Sequence, residues 1–315
     1  MKKAIIIPIV LGSTFLLAGS IIFAIGVATY VPQSGQTVTK EYVVEAFNNV
    51  YVDVQTSNIE FIASSDSERK VICEEREKEY HTVEVKDGSL NINSVNDRKW
   101  YEYAFNWNFK PMKVTIYAPA GDYSEVSIKT STGDIAIPND YSFSSLNVAT
   151  DTGNSSIKSN VKEATNVVSS TGSISLELNT KLLAASSSTG KVTLNNVNVS
   201  EDINIKTSTG DVYLTNVSAN NLTIEGSTAD KKLTNTIVAK HTKLKSSTGD
   251  VDLIDSDSDT FDIETSTGHV KGTILTNKIF DAKSDTGKVD VPLSGTGGLC
   301  KIRTSTGSIE IKIKE

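Results

Sequence analysis

A Thr-Gly pair returns every 18–20 residues from position 132 towards the C-terminus, and this beat limits the fold more than any other feature of the chain. Its glycines are Gly133, Gly153, Gly172, Gly190, Gly210, Gly249, Gly268, Gly287 and Gly307. A tenth copy, Ser227-Thr228-Ala229-Asp230, carries Ala229 in the glycine place. The mean period of about 19.3 residues is that of a stacked repeat. Apolar residues stand five and seven positions before the glycine, as in Val126/Ile128, Ile203/Ile205 and Cys300/Ile302. They recur two and four positions after it, as in Ile135/Ile137, Val212/Leu214 and Ile309/Ile311. Alternation with period two on both sides predicts two half-buried strands. The glycine between them supplies a positive φ or a close backbone approach at the bend. Pairs such as Val197/Val199 and Val217/Ala219 predict a third strand in many coils.

Each strand is too short and too one-sided to stand alone, so the coils must stack and share one core. The fold class this implies is all-β: a single-stranded parallel β-helix, or β-solenoid, of about ten 19–20-residue coils. At ~4.8 Å per coil the rod is on the order of 48 Å long, and the general handedness of parallel crossovers makes it right-handed. The Thr before each glycine and the Ser, Thr or Gly two residues earlier fall in the inward phase. They are expected to form internal hydroxyl ladders at a tight corner, not an outward Thr-x-Thr lattice that orders water.

The first part of the chain lacks the beat. Thr56-Ser57-Asn58, flanked by alternating strands, is a worn copy of the repeat, and Asp87-Gly88 marks a hairpin. Solenoids need an atypical unit over an open end, so 41–120 reads as an N-terminal cap with early coils and 121–315 as the Thr-Gly solenoid. Lys312 and Lys314 in the last coil would discourage end-to-end pairing. Within the cap, Trp100, Tyr101, Tyr103, Phe105, Trp107 and Phe109 give one strand an aromatic face. That face either packs on the solenoid or forms an exposed platform for a sugar ring, a lipid surface or a protein groove.

Lys2 and Lys3 precede an uncharged, mostly apolar run over 4–30. As a helix it reaches roughly 40 Å, more than the ~30 Å hydrocarbon core. It is longer than the 7–15-residue core of a secretory signal, although Gly26-Val27-Ala28 has the character of a cleavage site. The reading is a cytoplasmic stub (1–3), a transmembrane signal-anchor (4–30) and a polar linker (31–40), with the body outside a single-pass membrane segment.

Lys2 and Lys3 are the only charges in the first thirty residues, so a formal net charge of -7 leaves about -9 on the body. An acidic body argues against nucleic-acid binding, which needs a basic face. Cys73 and Cys300, at opposite ends of the rod, cannot pair and read as buried thiols. His81, His241 and His269 show no metal spacing with one another, and no nucleophile elbow, HExxH or phosphate loop is present. The residue after the repeat glycine varies among Asp, Asn, Ser, Lys and His, a solvated column and not a catalytic group. Asp255, Asp257 and Asp259 have the spacing of half a calcium loop but lack its Gly and its final Glu. Neither a reaction centre nor a cofactor is expected.

The motif of VSIKTSTGDIAI (126–137), INIKTSTGDVYL (203–214) and CKIRTSTGSIEI (300–311) resembles the bacterial putative-adhesin family of β-strand-repeat domains. The resemblance covers about 41–315. It implies an adhesin-like binding or structural module of the cell envelope, whose partner is a cell-wall or surface glycan. It also admits an accessory role in an envelope-stress response, with a membrane protein of the envelope as partner. A polysaccharide-acting β-helix enzyme is the remaining alternative. The resemblance offers no binding residues to carry over.

Overall fold

The chain bends three times per coil, and each bend has its own residue chemistry. In the computed structural model, which describes residues 37–65, 67–99, 110–293 and 295–314, every regular element is a strand. The coil through Val212–Thr228 shows the pattern. Val212 and Leu214 point inward, Asn216 turns the chain with a φ of 55°, Val217 and Ala219 point inward again, and Leu222 and Ile224 complete the third side. Asn196, Asn235 and Asp255 hold the same bend in neighbouring coils with φ between 49° and 52°. These are residue types that tolerate the left-handed region. Asn216 donates to Asn196 (2.9 Å) and Asn235 to Asn216 (3.2 Å), so the bend carries its own amide ladder.

Pairing between coils is parallel and in register: Ile203 lies beside Leu222, Leu222 beside Thr242, and Thr242 beside Phe261. The inner columns form one core that runs the length of the stack, about nine turns. Burying each Val, Leu or Ile contributes roughly 1.5–3 kcal/mol, and no single coil can do so without its neighbours.

The order of coils in space departs from the order in the chain at both ends. Near the C-terminus, Phe261 pairs with Cys300 and Cys300 with Phe280. On the next side Val270 pairs with Ile309, and Ile309 with Val289. The last coil is therefore inserted between its two predecessors, and the segment 278–290 forms the outer edge. This corrects the expectation that Lys312 and Lys314 guard the end. The charges at that edge include Lys283 with Asp285 and Lys288 with Asp290, paired within the segment, and Asp281, paired with Arg303 of the inserted coil. The step back over one coil is made by a glycine connection. A Cβ at Gly297 would lie 1.9 Å from the Asn277 carbonyl oxygen, and one at Gly298 1.9 Å from that of Asp259.

The N-terminal end uses the same device. β1 (Val38–Val43), β2 (Asn49–Ser64), β3 (Lys70–Glu75), β4 (Glu79–Lys86), β5 (Ser89–Asn96), β6 (Met112–Pro119) and β7 (Gly121–Thr132) follow in chain order. In space β2 lies between the outer coil made by β5 and β6 and the inner coil that starts with β7. Antiparallel strands then cover the outer coil: β4 on β5, β3 on β6 and β1 on β3. Phe47, Phe61, Tyr123, Tyr141 and Phe143 fill the core beneath, with ring centroids 5.7–6.4 Å apart.

The apolar segment 4–30 and the aromatic segment 100–109 lie outside the described residues. Among the described residues no helix is long and apolar enough to cross a membrane.

Candidate functional site

The Thr-Gly corner is built on backbone contact. A Cβ at Gly249 would stand 2.1 Å from the Ala229 carbonyl oxygen, and the glycine has a φ of 144°. At Gly172 and Gly210, where φ lies outside the left-handed region, the distance to the preceding glycine's carbonyl is still 1.9–2.0 Å. Close approach, more than φ, is what the column demands. The same carbonyls accept hydrogen bonds from the buried hydroxyl three places before the next glycine. Thr150 Oγ1 donates to Gly133 (3.4 Å), Ser187 Oγ to Gly172 (3.0 Å), Thr265 Oγ1 to Gly249 (3.2 Å) and Thr304 Oγ1 to Gly268 (3.0 Å).

Only one of the two expected hydroxyls is internal. The Thr directly before the glycine is exposed in nearly every coil, and so is the residue before it. The chain turns at this point, so strict alternation fails over two residues. The result is a double outward column of Ser208-Thr209, Ser227-Thr228, Ser247-Thr248, Ser266-Thr267 and Ser305-Thr306. Beside it, the residue after the glycine accepts the next coil's backbone N–H. Asp134 takes Asn154 N–H (2.7 Å), Asp230 takes Asp250 N–H (2.8 Å) and Asp250 takes His269 N–H (2.7 Å). That role explains the Asp and Asn at a position that looked merely solvated. A groove lined by Thr248, Thr267, Thr306, Asp250, His269 and Ser308 runs across these coils.

The Ala229 coil departs from the pattern in three places at once. Gly226 replaces the buried hydroxyl, Ala229 replaces the glycine, and Lys231 replaces the first inward apolar residue. An added Cβ at Gly226 would lie 3.0 Å from Ala229 Cβ, so the missing side chain makes room for the extra methyl. Thr207 Oγ1 turns to its own coil's Gly210 carbonyl (3.1 Å), which Gly226 cannot serve. Lys231 is wholly buried, donates from Nζ to the Ala229 carbonyl (3.2 Å), and is pushed down to about 8 by burial against the pull of Asp230 and Asp211.

Asp255, Asp257 and Asp259 follow one another within Val251–Thr267, and among the described residues they are not a group whose ligand atoms converge. Asp255 forms the left-handed bend, pairs with Lys314 and accepts Thr273 Oγ1 (3.0 Å); Asp257 pairs with the buried Lys278 (3.0 Å). Cys73 and Cys300 are both free and buried, and burial pushes each thiol up to about 12.

Under the N-terminal end the structure gathers residues that the sequence reading kept apart. Cys73 and Glu75 point inward from β3, and His81 points inward from β4. One ligand atom from each lies within 4.8 Å of the other two, and all three residues are at most 2% exposed. Burial pushes Glu75 up, but Lys40 (2.7 Å), the His81 N–H (3.0 Å) and the Tyr42 hydroxyl (3.0 Å) outweigh it and hold the carboxyl below its usual range. Burial pulls His81 down, with Glu75 opposing. His81 Nε2 meets Ser57 Oγ at 3.0 Å, while its Nδ1 is buried with no hydrogen-bond partner. Ser57 occupies the glycine place of the worn first repeat, and its carbonyl is the first rung of the ladder, accepting Thr130 Oγ1 (3.2 Å). The inward phase of Val71, Cys73 and Glu75 was a visible signal, since an acid on the buried face of a strand needs partners.

A family model described as Toastrack DUF4097 matches residues 47–201 and 167–315, which together span the solenoid and most of the cap. The chain belongs to this family. No curated protein matches the chain. Among solved structures, this Toastrack chain is similar to a "putative adhesin" from Bacteroides fragilis, with 19% identity and a TM-score of 0.42 over 89% of this chain and 98% of that one. A "putative lipid binding protein" from Parabacteroides distasonis shows 14% identity and a TM-score of 0.45 over 89% and 98%. A "putative adhesin" from Parabacteroides merdae shows 15% and 0.45 over 89% and 97%.

Proposed function

We propose that this Toastrack protein is an adhesin-like binding or structural module of the bacterial cell envelope, held to the membrane by 4–30 with its solenoid outside. The observation that carries this reading is the outward Ser-Thr column with its flanking groove. Rigid backbone contact fixes the column, and it repeats at the coil spacing of about 4.8 Å. Such a surface suits a partner that is itself a repeating, hydroxyl-rich polymer, and a cell-wall or surface glycan is the class that fits. The cap aromatics Trp100, Tyr101, Tyr103, Phe105, Trp107 and Phe109 are the second candidate contact, since aromatic faces stack on sugar rings.

The test is a pull-down of the full-length protein, purified in mild detergent, with isolated cell wall. Two folded variants run beside it: Thr248→Ala/Thr267→Ala/Thr306→Ala, and Tyr101→Ala/Tyr103→Ala/Trp107→Ala. Binding that falls at least fivefold in the threonine variant supports the column as the contact. A fall confined to the aromatic variant moves the contact to the cap. No retention by any form sinks the glycan reading and turns the search to membrane-protein partners.

A further inference from the structure

The cluster under the N-terminal end has the donor set, burial and unmet valence of a metal site. Three different ligand types converge there: a thiol, an imidazole nitrogen and a carboxylate. His81 Nδ1 is the decisive atom. It is buried, faces the cluster with Glu75 Oε1 4.0 Å away, and has no hydrogen-bond partner, and a buried nitrogen left without one is costly. The other ring nitrogen is already committed to Ser57 Oγ at 3.0 Å. If Nε2 carries the proton and donates to Ser57, Nδ1 presents its lone pair to the cluster. A hydrogen bond from the far ring nitrogen is what fixes the tautomer of metal-binding histidines.

We propose that Cys73, His81 and Glu75 bind a zinc-class divalent cation that fastens the antiparallel end strands to the first coil. A sulfur donor beside an imidazole selects zinc or its d-block neighbours over calcium or magnesium. Ligand atoms in a tetrahedral zinc site lie about 3.5 Å apart, so the present spread of up to 4.8 Å needs side-chain closure of roughly an ångström. One proton leaves the Cys73 thiol for solvent, so thiolate and carboxylate face the dication and the Lys40 ammonium, and the one remaining positive charge falls at the solvent-facing rim. Lys40 stays on Glu75 Oε2 at the rim, where its own side chain is half exposed. β1 covers the cluster, with Lys40 directly opposite Cys73, so lifting this edge strand gives a cation its way in. The bound ion would tie β3 and β4 together and, through His81 and Ser57, reach the first rung of the corner ladder. A thiol-imidazole nucleophile does not fit the same residues, because Cys73 is fully buried and its thiol is pushed up to about 12.

The test uses the metal-stripped full-length chain in mild detergent, titrated with Co2+ as a spectroscopic probe and then with Zn2+. The expected result is a sulfur-to-cobalt charge-transfer band that saturates at one equivalent and is displaced by Zn2+. The band should persist in Cys300→Ser and vanish in Cys73→Ser. His81→Gln, which keeps an amide for Ser57, should weaken binding at least tenfold and guards against a Cys73 variant that fails to fold. Zn2+ should raise the melting temperature of the wild type and of Cys300→Ser alone among these forms. A wild-type protein without the band, or a band that survives Cys73→Ser, overturns the site.

Discussion

The two ends of the stack share one device and differ in how they finish it. At each end the outermost coil is not the terminal one in the chain. β2 lies inside the coil of β5 and β6, and the segment Gly298–Ile313 lies inside the coil 278–290. The first and last parallel coils of the chain are thereby laddered on both sides. The N-terminal end is then sealed: antiparallel strands cover it, aromatic rings fill it, and Leu90, Ile92, Val114 and Ile116 are fully buried. The C-terminal end stays an edge. Phe280, Ala282 and Val291 are only partly buried, Ile279 and Leu299 are about half exposed, and the strand is blunted by paired charges and Pro292. Chemistry follows the difference: the sealed end buries a Cys, a Glu and a His together, while the edge segment buries a lysine paired with Asp257.

The largest expected effect comes from breaking the C-terminal swap. Removing 298–315 takes away the shared partner of two coils and the buried Cys300, Ile302, Ile309 and Ile311. At roughly 1.5–3 kcal/mol per buried side chain, the outer segment 278–290 should lose its amide-exchange protection entirely. Protection retained at 278–290 would mean that this coil does not depend on the last one.

Between the ends, Gly249→Ala should cost about 2–4 kcal/mol, because a methyl 2.1 Å from a carbonyl forces the corner apart. An unchanged urea midpoint would refute the close-contact column. The ends themselves are compared by truncation. Leu90→Ala should cost about 2–5 kcal/mol and Phe280→Ala well under half as much. Equal losses would mean that the C-terminal end is covered as well as the N-terminal one.

The interior Ala229 coil gives smaller, oppositely signed effects. Restoring the repeat with Gly226→Thr, Ala229→Gly and Lys231→Val should stabilise by about 1–2 kcal/mol. Lys231 also sets a pH signature. Its folded value is lowered to about 8 from 10.5, so the unfolded chain binds more protons between those limits. Stability from this residue therefore rises as pH increases from 8 to 10.5. Urea midpoints at pH 8 and pH 10 should differ more for the wild type than for Lys231→Val, and identical slopes would contradict the buried amine.

The strand phases, the core columns and the corner glycines were legible because each is written within one 19-residue window. The order of the end coils was not. Every coil carries the same inward phase, so Phe261 fits Phe280 as well as it fits Cys300, and only the length and glycine content of the connection decide. Gly297 and Gly298 were that signal. The outward turn of Thr248 and its counterparts was missed because alternation cannot describe a corner. The Cys73–Glu75–His81 cluster was missed because histidines were compared only with one another, across coils, and not with the inward acid six residues before His81.

The most direct test of the swapped architecture is a pair of engineered cysteine couples on the outward face. Glu264 lies beside Arg303, and Arg303 beside Lys283. In Glu264→Cys/Arg303→Cys the two positions are one strand spacing apart, about 4.8 Å, within the Cα range of about 4.4–6.8 Å for a disulfide. In Glu264→Cys/Lys283→Cys they are two spacings apart, beyond that range. Mild oxidation of the folded protein should cross-link the first couple and leave the second reduced. Cross-linking of the second couple alone would show that the coils stack in chain order and would contradict the account.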